Sequence, residues 1–250
     1  MTRVISGVAL AAVALAAILF LPLFALRLLA CAIAVLAAHE YLRIVSTKWT
    51  LPILMLVALV CWFVPMPGDR NVTWLLLLGL AWMAVEVLWG GLAVQDASAR
   101  FLAPWYIGIP LGMLVAVHGA GGPRLTLLLL GTIVFSDSAQ YYTGRMFGKR
   151  PLAPAISPKK TIEGAIGGVV IGTAFTVVAG SLLVDGDHLA CAILGVSVVV
   201  LGICGDLFES RLKRVAGVKD SSALIPGHGG VLDRIDALLF AAPAFYLYVR

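Results

Sequence analysis

The sequence predicts an all-α fold: a polytopic transmembrane helical bundle of about nine spans, with a cytoplasmic N-terminus. Three observations carry this expectation. Hydrophobic residues make up 61% of the 250 positions and charged residues only 12%, a balance that no soluble core requires. Apolar runs of spanning length recur from one end of the chain to the other. The polar stretches between them stay below about 30 residues, too short for a separate soluble domain.

Taken in order, spans are expected at about 4–21, 23–44, 51–64, 72–92, 101–117, 125–142, 161–184, 189–208 and 232–249. The first follows Thr2-Arg3 and runs straight into Pro22 and a second apolar stretch, without a small-residue cleavage pattern. It therefore reads as a retained helix. The second closes on His39, Glu40 and Arg43, read chiefly as interfacial polar residues, with support of a site as the alternative. Pro65-Met66-Pro67-Gly68 ends the third span. The fourth carries Glu86, a carboxylate that needs a partner or water at membrane depth. Trp49, Trp62, Trp74, Trp82, Trp89 and Trp105 fall mostly near span ends, as an aromatic belt does.

The sixth span contains Ser136-Asp137-Ser138. Asp137 lies twelve positions beyond Leu125, or about 18 Å along a helix, which is inside a hydrocarbon layer about 30 Å thick. An ionised carboxylate there calls for a metal or a cationic partner. A polar loop, 144–160, follows with Arg145, Lys149, Arg150, Lys159 and Lys160, and Ser157-Pro158 is expected to start the next helix. Gly164, Gly168 and Gly172 put bare backbone on one face of the seventh span, a pattern for close helix packing. Asp185-Gly186-Asp187-His188 reads as a solvated turn. Asp206 lies near the end of the eighth span, with Glu209 just beyond.

This layout divides into N-terminal scaffold spans, 1–120, and C-terminal catalytic spans, 121–250, within one membrane unit. The catalytic part carries two cytoplasmic loops, 144–160 and 208–231. Cys31, Cys61, Cys191 and Cys204 are scattered through apolar stretches. They read as small buried hydrophobes, with no zinc or disulfide pattern.

Charge sets the orientation. With the 208–231 loop inside, the inner segments hold Arg3, Arg43, Lys48, Arg100, Arg145, Lys149, Arg150, Lys159, Lys160, Arg211, Lys213, Arg214, Lys219 and Arg234. That leaves Arg27, Arg70, Arg124 and Arg250 of the 18 cations outside, in keeping with the positive-inside rule. The net charge of +5 suits loops that face anionic lipid and phosphates. It is not a nucleic-acid signature, since basic patches interleaved with aromatics are absent.

The stretch from Ser210 to Leu238, SRLKRVAGVKDSSALIPGHGGVLDRIDAL, concentrates what charge there is. Arg211, Lys213, Arg214, Lys219 and Arg234 stand beside Asp220, Asp233, Asp236 and the turn Pro226-Gly227-His228-Gly229-Gly230. Backbone without side chains wraps N–H groups around phosphate, Lys and Arg neutralise phosphate charge, and carboxylates hold Mg²⁺. The chemistry is that of a polyphosphate and metal site at a membrane surface.

The order Ser210-x-Leu212-Lys213-Arg214-x4-Lys219-Asp220-x-Ser222-x2-Ile225-Pro226-x-His228-Gly229-Gly230-x2-Asp233-Arg234-x-Asp236 resembles the signature of the phosphatidate cytidylyltransferases, the CDP-diacylglycerol synthases. Ser136-Asp137-Ser138, the stretch from Tyr141 to Lys149, and Ser157-Pro158-Lys159-Lys160-Thr161-Ile162-Glu163-Gly164 are similar to that family too. The resemblance covers about the C-terminal half. Gln140 and Ala237 depart from it, where the family more often has a small residue and Ser.

The resemblance implies that the lipid phosphate of phosphatidic acid attacks the α-phosphorus of CTP, giving CDP-diacylglycerol and pyrophosphate in phospholipid biosynthesis. Asp137, Asp206, Lys213, Arg214, Lys219, Asp233 and Arg234 are the expected catalytic residues. Asp137, Asp206, Asp233 and Asp236 are the expected ligands of Mg²⁺, as a pair of ions for which Mn²⁺ substitutes. Ser157, Lys159, Lys160, Ser210, Arg211, Asp220, His228, Gly229 and Gly230 are expected to contact substrate. The expected setting is a bacterial inner membrane with the site facing the cytoplasm, among membrane lipids and without nucleic acid. Whether two copies form a homodimer is left open. A CTP-dependent polyprenol or phytol kinase, moving the γ-phosphate, is one alternative. A transporter is the other, although it should show paired inverted repeats with broken helices in both halves, whereas the polar residues here concentrate in the second half.

Overall fold

In lipid a backbone must satisfy its own N–H and C=O groups, so long apolar runs become helices. The computed structural model describes residues 2–45, 51–64, 69–88, 90–225, 227 and 229–250, with backbone alone at 2–6 and 69–72. Lys48, Trp49, the Pro65–Gly68 break, Trp89, Pro226 and His228 lie outside the described residues. The helices are α1 (Thr2–Phe20), α2 (Leu23–Ile44), α3 (Leu51–Phe63), α4 (Asp69–Leu88), α5 (Val94–Ala103), α6 (Ile109–Phe147), α7 (Ile162–Val184), α8 (His188–Val215) and α9 (Leu232–Val249). A π-helical turn, Pro104–Gly108, joins α5 to α6. Four helical stretches are long and apolar enough to cross a membrane: Leu23–Ile44, Val94–Phe147, Ile162–Val184 and His188–Val215. Shorter apolar helices add Gly7–Phe20, Leu51–Phe63 and Thr73–Leu88. The chain is an integral membrane protein of the all-α class.

The expected break between the fifth and sixth spans falls at Gly121 and Gly122, where the backbone leaves helical geometry, while two other boundaries differ from expectation. Gly122 has φ 63, a left-handed conformation that a side chain disfavours. Pro123 then restarts the helix, where its missing N–H costs little.

The 144–160 segment is not simply a loop. Helix α6 runs on to Phe147, and Pro151–Ala153 (β1) pairs antiparallel with Ser157–Thr161 (β2). Ser157-Pro158 therefore lies in a strand, and the helix starts four residues later at Ile162. Thr161 is the reason: its hydroxyl accepts from the Gly164 N–H at 3.1 Å as an N-cap. Glu163 fixes the base of the hairpin by accepting from the Lys149 and Arg150 N–H groups at 3.0 and 3.2 Å.

Finally, α8 continues to Val215, so 208–215 is helix rather than loop. Lys213 pairs with Glu209 one turn earlier at 2.7 Å, and two cations in the last turn oppose the helix dipole.

The chain forms two compact units, one of residues 1–116 with 215–235, the other of 117–214 with 236–250. In the first, Leu56, Val60, Val64 and Leu75 form a core between α3 and α4. Glu86 of α4 and Arg100 of α5 make a buried ion pair at 2.6 Å, which answers the expectation that Glu86 needs a partner.

In the second unit, α7 lays its glycine face on α6. A Cβ at Gly168 would run into the Gln140 side chain, and one at Gly172 would stand 3.0 Å from Ser136 Cβ. Thr132 and Thr176 hydrogen-bond across the same seam at 2.9 Å, and Phe135 stacks on Phe175 at 4.3 Å. This close approach sets the helix that bears Asp137. Cys61 and Cys191 are buried as expected, whereas Cys204 is exposed on α8 and faces out of the helix packing.

Breaking a buried ion pair from one side leaves an uncompensated charge. Glu86→Ala is therefore expected to destabilise the protein by about 3–5 kcal/mol, and joint replacement of Glu86 and Arg100 by Met by clearly less. Thermal unfolding of the purified variants checks the order.

Candidate functional site

In the second unit, three carboxylates come within electrostatic reach of one another: Asp137 on α6, Asp206 on α8 and Asp236 on α9. Helix α9 reaches them because α8 offers glycines where it passes. Gly202 meets Ala237, and a Cβ at Gly205 would strike the Asp236 carbonyl at 2.5 Å. The cluster is not left bare. Successive residues of a strand point to opposite faces, and β2 turns Lys160 into an ion pair with Asp206 while Lys159 stays exposed. Ser210 donates to the other Asp206 oxygen at 3.2 Å. Gln140 donates to Asp137 at 3.1 Å, so the departure at this position from the family pattern supplies a direct contact. Asp236 accepts from the Ala237 N–H at 2.8 Å. Lys213 also acts on Asp236, and Arg214 donates to the Ile156 carbonyl of the hairpin at 3.3 Å.

In the first unit, the glycine-rich segment is tied at both ends. Asp233 Oδ2 accepts from the Ser221 N–H at 2.9 Å, the Ser221 hydroxyl at 2.8 Å and the Gly230 N–H at 2.8 Å. Ile225 donates to the Gly229 carbonyl at 2.8 Å, and Gly227 and Gly229 both have φ 79. Only residues without a Cβ adopt that backbone readily. Glu40, from α2, accepts from Ser221, Ser222, Val231 and Leu232 of the same segment. Lys219, Asp220 and Arg234 are exposed around it.

The residues marked in the sequence thus fall into two groups. Asp137, Ser157, Lys159, Lys160, Asp206, Ser210, Arg211, Lys213, Arg214 and Asp236 belong to the second unit. Lys219, Asp220, Gly229, Gly230, Asp233 and Arg234 belong to the first, and His228 is outside the described residues. Sequence reasoning gave Glu40 only a secondary role, and named Glu163 within the family-like stretch and Glu209 beside Asp206 without assigning either a role. Glu209 is fully buried beneath Lys213. The available signal was the same in each case: a carboxylate inside or beside an apolar run, where charge needs a stated reason.

Fold and site together define a polytopic helical membrane protein with carboxylates and cations set among its helices. The model of the Cytidylyltransferase family matches residues 1–250, and the chain belongs to that family. The Escherichia coli K12 protein named Uncharacterized protein YnbB is 34% identical over 235 residues, covering 87% of this chain and 76% of its own. A phosphatidate cytidylyltransferase of Haemophilus influenzae is 46% identical over 133 residues, 51% of this chain and 46% of that protein. Another, from Aquifex aeolicus, is 46% identical over 143 residues, 57% and 53% of the two chains. The match thus spans about half the length of these two curated relatives.

Whether the residues suit a metal follows from their chemistry. Among the described residues no three His, Cys, Asp or Glu side chains stand at ligating distance of one point. The donors in reach of each other are all carboxylate oxygens, however, and a cation, Lys160, already rests against one of them. Mg²⁺ needs only one or two protein carboxylates when phosphate supplies the rest, so the set fits a hard divalent ion. Asp206→Asn and Asp236→Asn are each expected to weaken Mn²⁺ binding by about tenfold or more. Electron paramagnetic resonance of Mn²⁺ titrated into purified protein reads this without turnover.

Proposed function

We propose that this protein transfers the cytidylyl group of CTP to phosphatidic acid, producing CDP-diacylglycerol and pyrophosphate. The match of the whole chain to the Cytidylyltransferase family carries the reading, and relatives named phosphatidate cytidylyltransferase support the choice of lipid. An oxygen of the lipid phosphate attacks the α-phosphorus of CTP, the bond from that phosphorus to the bridging oxygen breaks, and pyrophosphate leaves with the electron pair. A phosphate monoester with a second pKa of about 6 is already mostly dianionic at neutral pH, so no protein base is required. Alignment and charge neutralisation then supply the catalysis.

Asp137, Asp206 and Asp236 would hold Mg²⁺, singly or as a pair, with Asp233 as the further candidate and Mn²⁺ as a substitute. The bound ion would neutralise charge on the reacting phosphates. The chain's own cations do the rest. Lys213, Arg214, Lys219 and Arg234 offset negative charge on the triphosphate. Exposed Lys159, with Ser157 on the same strand face, receives the lipid phosphate. Lys160 balances Asp206 and would be available to phosphate were a metal bound at that carboxylate. Ser210, Arg211, Asp220, His228, Gly229 and Gly230 complete the substrate contacts. Nine spans with a cytoplasmic N-terminus, in the inner membrane of a bacterium, put the basic segments where CTP is found.

The bonds broken separate this reading from a kinase and from a transporter. Purified protein is given phosphatidic acid, Mg²⁺ and CTP labelled separately in the α- and γ-phosphates. The α-label is expected in the lipid and the γ-label in pyrophosphate. The γ-label in the lipid would establish phosphorylation instead, and unlabelled lipid from folded protein would contradict enzymatic transfer.

A further inference from the structure

We propose that Glu40, in the N-terminal part of the chain, is the positioning residue that holds the glycine-rich segment and the first turn of α9 in working geometry. What that segment does rests on the cytidylyl-transfer reading, but the hold itself rests on geometry alone. Glu40 is buried, 3% exposed. One oxygen accepts from the Ser222 hydroxyl at 2.6 Å and the Val231 N–H at 3.1 Å. The other accepts from the Ser221 hydroxyl at 2.9 Å and the Leu232 N–H at 2.8 Å. Donors from both ends of the segment, 181 to 192 positions away in the chain, converge on one group.

Each contact has a physical reason. The first N–H groups of a helix have no acceptor within it, and Glu40 supplies one for Leu232, the first residue of α9. A negative charge is favourable at that end of a helix. Gly230 has no side chain because Ser221 and Glu40 occupy the place a Cβ would take. Among the described residues no cation pairs with Glu40, so it works as an acceptor of hydrogen bonds rather than as half of an ion pair.

Ser221 links this anchor to Asp233. Its hydroxyl lies 2.9 Å from Glu40 Oε2 and 2.8 Å from Asp233 Oδ2. A hydroxyl has one proton to give, so it donates to one carboxylate at a time. The exposed residues Lys219 and Arg234 flank the tied positions, two before Ser221 and one after Asp233. Fixing the ties therefore fixes where these cations emerge. Glu40 touches neither cation, and its effect on substrate passes through the backbone it holds.

Only a side chain with two acceptor oxygens at this reach satisfies all the donors. Glutamine presents an N–H to groups that themselves donate. The test uses the full chain in lipid nanodiscs, with Glu40→Gln and the milder Ser222→Ala. Trypsin cleavage after Lys219 reports opening of the segment, and initial rates give KM for CTP and kcat. Glu40→Gln is expected to raise the cleavage rate about tenfold or more, as loss of charge-assisted hydrogen bonds implies. It should raise KM for CTP by a larger factor than it lowers kcat. Ser222→Ala should move both readouts in the same direction by a smaller factor. Wild-type cleavage and wild-type KM in both variants overturn the proposal, as does a fall in kcat alone with cleavage unchanged. If Glu40→Gln does not fold, Ser222→Ala decides by the same cleavage readout. If the wild-type protein makes no CDP-lipid, the reaction reading fails, and cleavage after Lys219 still decides the role of Glu40.

Discussion

A carboxylate removed from water must find donors or a cation within the protein, and Glu40, Glu86, Asp206 and Glu209 each do so. Three solutions occur side by side. Glu86 pairs with Arg100 and Glu209 with Lys213. Asp206 is answered by Lys160 from the hairpin. Glu40 is answered by hydroxyls and backbone N–H groups from a distant segment. Of the first kind, Glu86–Arg100 ties α4 to α5, and Glu209–Lys213 spans one turn within α8. The second sets an ammonium from the hairpin against a partly exposed carboxylate of α8. The third fixes a loop that its own sequence, rich in glycine, would leave mobile.

These solutions follow one another physically. The glycine face of α7 lets it sit against α6 at Ser136 and Gln140, which sets the helix face that carries Asp137. The same helix begins at the Thr161 cap, and the strand before that cap turns Lys160 toward Asp206. Continuation of α8 to Val215 puts Lys213 one turn above Glu209 and carries Arg214 to the hairpin carbonyl of Ile156. Packing of small residues, capping and ion pairing thus combine to place cations beside carboxylates, the combination that the proposed phosphate chemistry with a divalent ion would use.

The helical class was legible because its signal is local: an apolar run of sufficient length is a helix wherever it lies in lipid. The glycine spacing of α7 was legible for the same reason. The hairpin at 151–161 was not. Its prolines and lysines carry no hydrophobic period, and its geometry depends on Glu163 gathering two N–H groups across the turn. The extension of α8 was hidden because a polar helix end reads like a loop when only hydropathy is followed. Asp137 and Asp206 were recognisable as acids within apolar runs. Their association with Asp236 through α9, and the tie from Glu40 to residues 181 and more positions away, are long-range pairings that no local pattern encodes.

The account turns on Asp137, Asp206 and Asp236 holding a divalent cation that takes the place of Lys160. Anomalous difference density from crystals grown with Mn²⁺ and CTP tests this most directly. The account predicts a peak bounded by Asp206 and at least one of Asp137 and Asp236, with the Lys160 ammonium moved off Asp206 toward phosphate. A peak ligated by other residues, or a bound nucleotide and metal beside an unbroken Lys160–Asp206 pair, would contradict it.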